Sequence, residues 1–185
     1  IKWGYQLKNI SHNQHAPFDL EFQVGNTRKT AQADLVVGAD GIRSQVRKLQ
    51  LWEDISPLKY LGCIVILWIC PFENLWSIES DLLDSATVFQ TVNGHERIYM
   101  MPYDKNTIMW QLSFPMDEKD AKLLSRKWSQ ALKQEGIKRL WDWHSPIPEI
   151  LEATQNSLIS GYPVYDREVL DPEFLKDLWN ITLLW

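Results

Sequence analysis

The run Leu35-Val-Val-Gly-Ala39 constrains this chain most, because five consecutive apolar residues stop at Asp40-Gly41 and are followed at once by Ile42-Arg-Ser-Gln-Val-Arg47. An unbroken apolar run of this length predicts a strand covered on both faces, as in a sheet packed between helices. Asp-Gly ends such a strand in a turn, and Ser44 is placed to cap a short helix over residues 45–49. Strand, tight loop and helix start in succession are the local form of an open α/β sheet. In such sheets ligands sit beyond the carboxyl ends of the strands, where loops and helix N-termini present N–H groups to anionic atoms.

Asp40 has two open readings in that position: its carboxylate accepts either from a ribose or ribityl hydroxyl of a ligand, or from a neighbouring loop. Gly41 permits a turn, or a close backbone approach that a Cβ would block. Arg43 and Arg47 add guanidinium groups on the following turn, and a planar fork of donors suits phosphate oxygens.

The flanking sequence changes character on either side. Residues 2–8 and 18–24 alternate apolar and polar positions, the period of half-buried antiparallel strands. Gly25-Asn26 and the polar residues up to Gln32 read as a turn. A second region starts near Pro57, where residues 60–69, 86–91, 97–101 and 107–114 read as strands separated by Asn93-Gly94 and residues 104–106, together one antiparallel sheet. Asp117 is placed to cap a helix running to about Glu135, with Ala121, Leu124, Trp128, Ala131 and Leu132 at helical spacing and Gly136 as its C-terminal stop. A short helix over 146–153 with Pro148 in its first turn, and strands over 158–165 and 181–184, complete the expectation.

Composition removes several classes of function. The 185 residues are 45% hydrophobic, enough for one core or two small ones, and the net charge of −5 argues against a nucleic-acid binder. The longest apolar run, residues 61–70, is too short to span a bilayer. Cys63 and Cys70 lie outside zinc spacings and read as reduced core thiols of a cytoplasmic protein. His12, His15, His95 and His144 show no metal-ligand pattern. Most of the ten tryptophans are expected in the core. Nothing in the pattern sets an oligomeric state.

Taken whole, Ala33-Asp-Leu-Val-Val-Gly-Ala-Asp-Gly-Ile-Arg-Ser-Gln-Val-Arg47 closely resembles the Asp-Gly motif of the class A, para-hydroxybenzoate hydroxylase-like, FAD-dependent monooxygenases. Trp3-Gly-Tyr5 resembles the strand preceding that motif in many members. Tyr99-Met-Met-Pro-Tyr103 and Met109-Trp-Gln-Leu-Ser-Phe-Pro115 resemble the family's substrate-domain sheet. Trp143-His-Ser-Pro-Ile-Pro148 and Gly161-Tyr-Pro-Val-Tyr-Asp-Arg167 resemble the stretch before the second flavin motif, a Gly-Asp-Ala-Ala-His run that follows a Leu-Leu strand. Residues 181–184 match that strand, and Trp185 stands where the motif's Gly falls. The family's N-terminal Gly-x-Gly-x-x-Gly turn has no counterpart among the eight glycines. The chain opens at Ile1 and closes in a strand-like run, so it is expected to be an interior piece of a longer protein, inactive alone.

The resemblance implies an α/β fold, α+β in the substrate part: a partial FAD/NAD(P)-binding domain over 1–55, an antiparallel-sheet substrate domain with helices over 56–165, and a return segment toward the flavin domain over 166–185. It implies FAD and NAD(P)H as cofactors and hydroxylation of a small organic, aromatic substrate by O2 through a flavin C4a-hydroperoxide. Asp40, Gly41, Arg43 and Arg47 become candidate cofactor-binding residues, while the sheet over 60–114 is expected to roof the flavin. Tyr99, Met101, Trp110 and Gln111 either line the substrate pocket or are ordinary sheet core and surface. No side chain is assigned a catalytic role, since the cofactor carries the chemistry. Asp166 and Arg167 are either a structural ion pair or a support for the flavin loop. A flavoprotein halogenase or reductase, and a non-catalytic remnant or interaction module, are the alternative functions.

Overall fold

Three antiparallel strands open the chain: β1 (Tyr5–Asn13), β2 (His15–Val24) and β3 (Thr27–Ala33), in the order β1-β2-β3. The computed structural model describes the chain except residues 14, 52–54, 85, 177 and 185, and except the side chains of residues 12, 13, 15 and 16. Position 185, and the side chains of His12 and His15, therefore lie outside the described residues. β3 corrects the expected turn over 25–32: only Gly25-Asn26 turns, and the polar residues beyond pair with β2 from Thr27↔Val24 to Ala33↔Phe18. Because β3 buries almost none of its side chains, its strand character comes from backbone hydrogen bonds that leave no hydrophobic alternation to read.

The chain divides into two units, Ile1–Lys59 with Asp166–Trp185, and Tyr60–Tyr165. In the first unit, β4 (Val36–Gly38) pairs in parallel with β10 (Ile181–Leu183), Val36 opposite Ile181 and Gly38 opposite Leu183. A parallel pair needs a long connection between its strands, which here is more than a hundred residues of sequence. Helix α1 (Gln45–Gln50) follows β4. Its Val46 packs with Ile10, Phe18, Val36, Leu51, Leu170, Leu178 and Ile181 in the unit's core. The expected cover on both faces of residues 35–39 is not found among the described residues: Val36 and Gly38 are buried, but Leu35 and Val37 are exposed. In this unit β4 packs on one side only, so an all-apolar strand leaves half its side chains outside.

The second unit is built on a sheet of order β6-β7-β8-β5-β9. Its strands are β5 (Leu58–Pro71), β6 (Phe89–Val92), β7 (Arg97–Pro102), β8 (Thr107–Pro115) and β9 (Ser160–Arg167). The β6–β7, β7–β8 and β5–β8 pairs are antiparallel, as the sequence pattern predicts. Strand alternation divides the side chains between two faces. Ile64, Ile66, Trp68, Ile98, Met100, Ile108, Trp110, Leu112 and Phe114 form one buried face, covered by Ala121, Leu124, Leu132, Leu140, Ile147, Ile150 and Leu151 of the helices.

Those helices correct the expectation of one helix to residue 135. α2 (Glu118–Ser125) and α3 (Ser129–Leu140) are separate, and α4 (Ile147–Ala153) carries its proline in the first turn as expected. α2 ends where Ser125 Oγ donates back to Lys122 O (3.0 Å) and Arg126 and Lys127 close short bonds to Leu123 and Leu124. Trp128 is extended at the start of α3 and 89% exposed, rather than on the buried stripe. Gly136 is not a stop: it lies inside α3, with its Cβ position 3.5 Å from Leu112 and 3.6 Å from Leu151, so the helix backbone itself packs on the sheet. Tryptophan burial is also corrected. Trp68 and Trp110 are buried, rings 4.8 Å apart, whereas Trp3, Trp76, Trp128, Trp141 and Trp179 are each at least 70% exposed. Cys70 is buried and Cys63 half-buried, both free thiols.

Candidate functional site

The turn after β4 is organised around Asp40. Its Oδ2 accepts from the Gln45 N–H (2.5 Å) and the Val46 N–H (3.4 Å), so the carboxylate closes the first turn of α1. Ser44 Oγ accepts from the Arg47 N–H (3.0 Å) in the same turn, the capping arrangement expected from sequence. Burial opposes ionisation of Asp40, but hydrogen bonds from Ser44 and from the Gln45 and Val46 amides outweigh it and hold the carboxyl below its usual range. Through these bonds Asp40 holds the neighbouring backbone.

Gly41 has φ +72°, with no protein atom near its Cβ position, so glycine serves the left-handed backbone here. Close approach occurs at Gly38, where a Cβ would stand 2.8 Å from Leu183 Cδ2 and 2.9 Å from Val46 Cβ. That contact seats β4 against both β10 and α1, and it is what brings residues 183–184 beside the Asp40–Gly41 turn.

A cavity of about 170 Å³ opens there, with Gly38, Gly41, Ser44, Arg47, Asp166 and Arg167 in its wall. Of the four cofactor residues expected from sequence, Gly41 and Arg47 line it, Asp40 holds the turn beneath, and Arg43 is exposed outside the wall. Arg47 is buried; that burial first, and the neighbouring Arg167 charge second, push its guanidinium below its ordinary value.

Arg167 is the residue whose part sequence reasoning missed. It makes no ion pair with Asp166, whose Oδ1 accepts instead from the Arg167 main-chain N–H (2.8 Å). The guanidinium reaches back across the sequence: Nε donates to Ile42 O (2.8 Å) and Nη1 to Ser56 O, while Nη2 is buried with no partner. Only the Asp-Arg dipeptide hinted at this, since its carbonyl partners are more than a hundred positions away.

In the second unit the candidate substrate residues fall on both faces of the sheet. Trp110 lies on the helix side, fully buried, its Nε1 donating to Thr154 Oγ1 (3.5 Å), so it is core rather than open wall. Tyr99, Met101 and Gln111 are half-buried on the opposite face. Tyr99 and Gln111 are direct cross-strand neighbours, flanked by Gln90 on β6 and Leu67 on β5; Met101, Met109 and Ile69 form the next row. Arg97 stands on the same face, its Nε donating to Gln90 Oε1 (3.1 Å) and its guanidinium 5.9 Å from the Tyr99 ring centroid. No group of three or more His, Cys, Asp and Glu among the described residues is arranged to hold a metal, and no helix among them is long and apolar enough to cross a membrane.

Comparison with characterised proteins places this fold. The chain is 28% identical over 141 residues to aurachin C monooxygenase/isomerase of Stigmatella aurantiaca, covering 74% of this chain and 32% of that protein. It is 23% identical over 141 residues to 6-hydroxynicotinate 3-monooxygenase of Bordetella bronchiseptica, covering 75% and 34%. The chain thus spans about a third of the length of these relatives. A crystal structure described as an FAD-containing monooxygenase from Photorhabdus luminescens superposes with TM-score 0.74 at 17% identity, covering 99% of this chain and 50% of that one. HpxO of Klebsiella pneumoniae, complexed with FAD and uric acid, gives 0.68 at 14%, covering 98% and 42%. CmlS, a flavin-dependent halogenase, gives 0.59 at 11%, covering 89% and 28%. No family model matches the chain. The fold is therefore the mixed α/β fold of FAD-dependent monooxygenases, over the half or less of their length that this chain spans, and the relatives similar in sequence are themselves monooxygenases.

Proposed function

We propose that these residues are the interior of a flavoprotein monooxygenase, with the first unit contributing part of an FAD site and the second a substrate-binding sheet. The observation that carries this reading is the cavity at the Asp40–Gly41 turn, which brings a left-handed glycine and two buried guanidiniums together in a chain with the fold of FAD-complexed proteins. The residues present fit an anionic stretch of the cofactor, because Arg47 and Arg167 both line the cavity and carry two positive groups to it. When bound, FAD would accept two electrons from NAD(P)H and activate O2, one oxygen atom entering the substrate and the other leaving as water.

The protein's own contribution is positional. Asp40 fixes the turn through the Gln45 and Val46 amides, so the Gly41 backbone is held ready before any ligand arrives. Arg47 and Arg167 supply positive charge in a partly closed space, where it acts more strongly than in water. Tyr99, Met101 and Gln111 would orient an aromatic substrate on the open sheet face and exclude water, Gln111 and the Tyr99 hydroxyl giving direction and the methionines an adaptable apolar floor. The domain assignment, 1–55 and 166–185 to the flavin part and 56–165 to the substrate part, belongs to the same proposal, as does the inactivity of residues 1–185 alone.

The test uses the complete polypeptide that contains these residues. It should retain yellow FAD through gel filtration and oxidise NAD(P)H faster with a hydroxylated aromatic acid such as 6-hydroxynicotinate. Label from isotopic O2 should enter the product once. A complete polypeptide that retains no FAD refutes the reading and supports the interaction-module alternative, whereas halide incorporation in place of oxygen supports the halogenase alternative.

A further inference from the structure

Residues 119–141, which span most of α2 and all of α3, hold seven Lys or Arg against two Asp or Glu, in a chain whose net charge is −5. The two acidic residues are Asp120 and Glu135, and none falls between them; Asp142 follows just beyond. Ala121, Leu124, Leu132 and Leu140 pack these helices on the sheet, so their opposite stripes turn away from it. On the α2 side that stripe carries Lys119, Leu123 and Arg126, at helical spacing and all exposed. On α3 it carries Lys138 and Trp141, and Lys127-Trp128 joins the two helices.

Three of the seven cations have partners within the fold. Lys122 Nζ donates to Glu118 Oε1 (2.5 Å), Lys133 Nζ to the carbonyls of Glu152 and Thr154 (2.7 Å each), and Arg139 Nη1 to Glu96 Oε1 (3.0 Å). Lys119, Arg126, Lys127 and Lys138 make no ion pair among the described residues. Among them stand Trp128, 89% exposed, Trp141, 70% exposed, and Leu123, 52% exposed. An indole left in water forgoes the burial that ordinarily makes the ring stabilising. Next to cations it matches the headgroup zone of a bilayer, where amphipathic rings settle and Lys and Arg meet anionic lipid. Exposure alone does not define such a surface. Trp76 is 85% exposed, but residues 73–84 around it hold Glu73, Glu79, Asp81 and Asp84 and no cation.

We propose that the outer side of α2 and α3 is a docking surface for an anionic lipid bilayer, with Lys119, Arg126, Lys127 and Lys138 meeting the headgroups and Trp128 and Trp141 seated among them. Charge complementarity selects this occupant, and the exposed indoles and leucine give it apolar depth that a purely polar partner would leave wet. No helix among the described residues is long and apolar enough to cross a membrane, so the attachment is peripheral and reversible. The surface lies wholly within the second unit and is independent of the flavin reading.

The complete polypeptide is sedimented with vesicles of phosphatidylcholine alone and of equal parts phosphatidylcholine and phosphatidylserine. It should bind the anionic vesicles, bind the neutral ones far less, and be released as salt is raised. Each of Lys119→Gln, Arg126→Gln, Lys127→Gln and Lys138→Gln should weaken binding by about fivefold. Trp128→Ala and Trp141→Ala should weaken it several-fold, whereas Trp76→Ala should leave it unchanged. Thermal melts of these surface variants should match the wild type. Should a variant fail to fold, hydrogen exchange of the wild type decides: anionic vesicles must slow exchange at residues 126–129 and leave residues 73–79 unaffected. Absence of vesicle binding by the wild type overturns the proposal, as does equal binding to neutral vesicles. Binding that survives the four charge substitutions, or that falls as much with Trp76→Ala as with Trp128→Ala, overturns it too. Retention on duplex DNA without binding to vesicles overturns it in favour of a polyanion partner.

Discussion

Replacing Gly38 by alanine adds one methyl group at the seam of β4, β10 and α1, and the structure fixes what that methyl meets. It would stand 2.8 Å from Leu183 Cδ2, 2.9 Å from Val46 Cβ and 3.0 Å from Val46 Cγ1, all inside ordinary van der Waals contact. Leu183 is half-buried and can rotate its terminal methyl away. Val46 cannot, because a β-branched side chain in a helix has one strongly preferred χ1 and its Cβ moves only with the backbone. Overpacking of this kind costs about 1–3 kcal/mol, and removing glycine from the unfolded chain returns about 0.4–1 kcal/mol, so a net loss of about 1–2 kcal/mol is expected. Gly41→Ala is the paired control. It meets open space but demands φ +72°, so its loss of about 1 kcal/mol is purely conformational. Equilibrium urea unfolding of the complete polypeptide measures both, and hydrogen exchange at the Leu184 amide, which donates to Gly38 O (2.9 Å), localises the first. Gly38→Ala that is as stable as wild type, with unchanged exchange at Leu184, would show that the seam is looser than these distances and would refute the reasoning.

Gly136→Ala should stabilise the second unit by about 0.5–1 kcal/mol, since its Cβ contacts are ordinary and alanine is the better helix former; a loss in Tm would restore the helix-stop reading. Asp40 has a depressed folded-state pKa, so its contribution is fully present above the unfolded value of 3.8 and is lost as pH falls through the lower folded value. Asp40→Asn should accordingly flatten the acid limb of stability against pH, and an unchanged limb counts against the cap. Trp110→Ala should cost about 3–5 kcal/mol in unfolding free energy. Gln111→Ala, by contrast, should stay within about 0.5 kcal/mol of wild type while raising the KM for an aromatic substrate; the opposite ranking would reverse the assignment of the two sheet faces.

Some of this protein was legible one residue after another. The apolar run ending at Asp40-Gly41, the Ser44 cap, the proline in the first turn of α4 and the antiparallel strands of the second unit all appear where their local patterns put them. These signals work because a cap, a turn or an alternation is satisfied by neighbours a few positions away. Local pattern failed where the deciding partner was distant. The polar β3 is a strand because β2 offers it hydrogen bonds, and Gly136 is helical because Leu112 and Leu151 lie close beside it. Trp128 carries the periodicity of the helix core yet lies outside it, because α2 ends and α3 starts on either side of it. Whether Trp110 or Gln111 faces the core depended on strand parity against a helix layer that sequence cannot orient.

The motif thus determined by itself that a strand, a turn and a capped helix would stand in succession at Asp40-Gly41. Only the tertiary structure decided that Arg167 would join them. Backbone geometry around a turn is set by torsions of adjacent residues, whereas the meeting of Arg167 with the carbonyls of Ile42 and Ser56 exists only once the first unit has closed on a segment more than a hundred residues away.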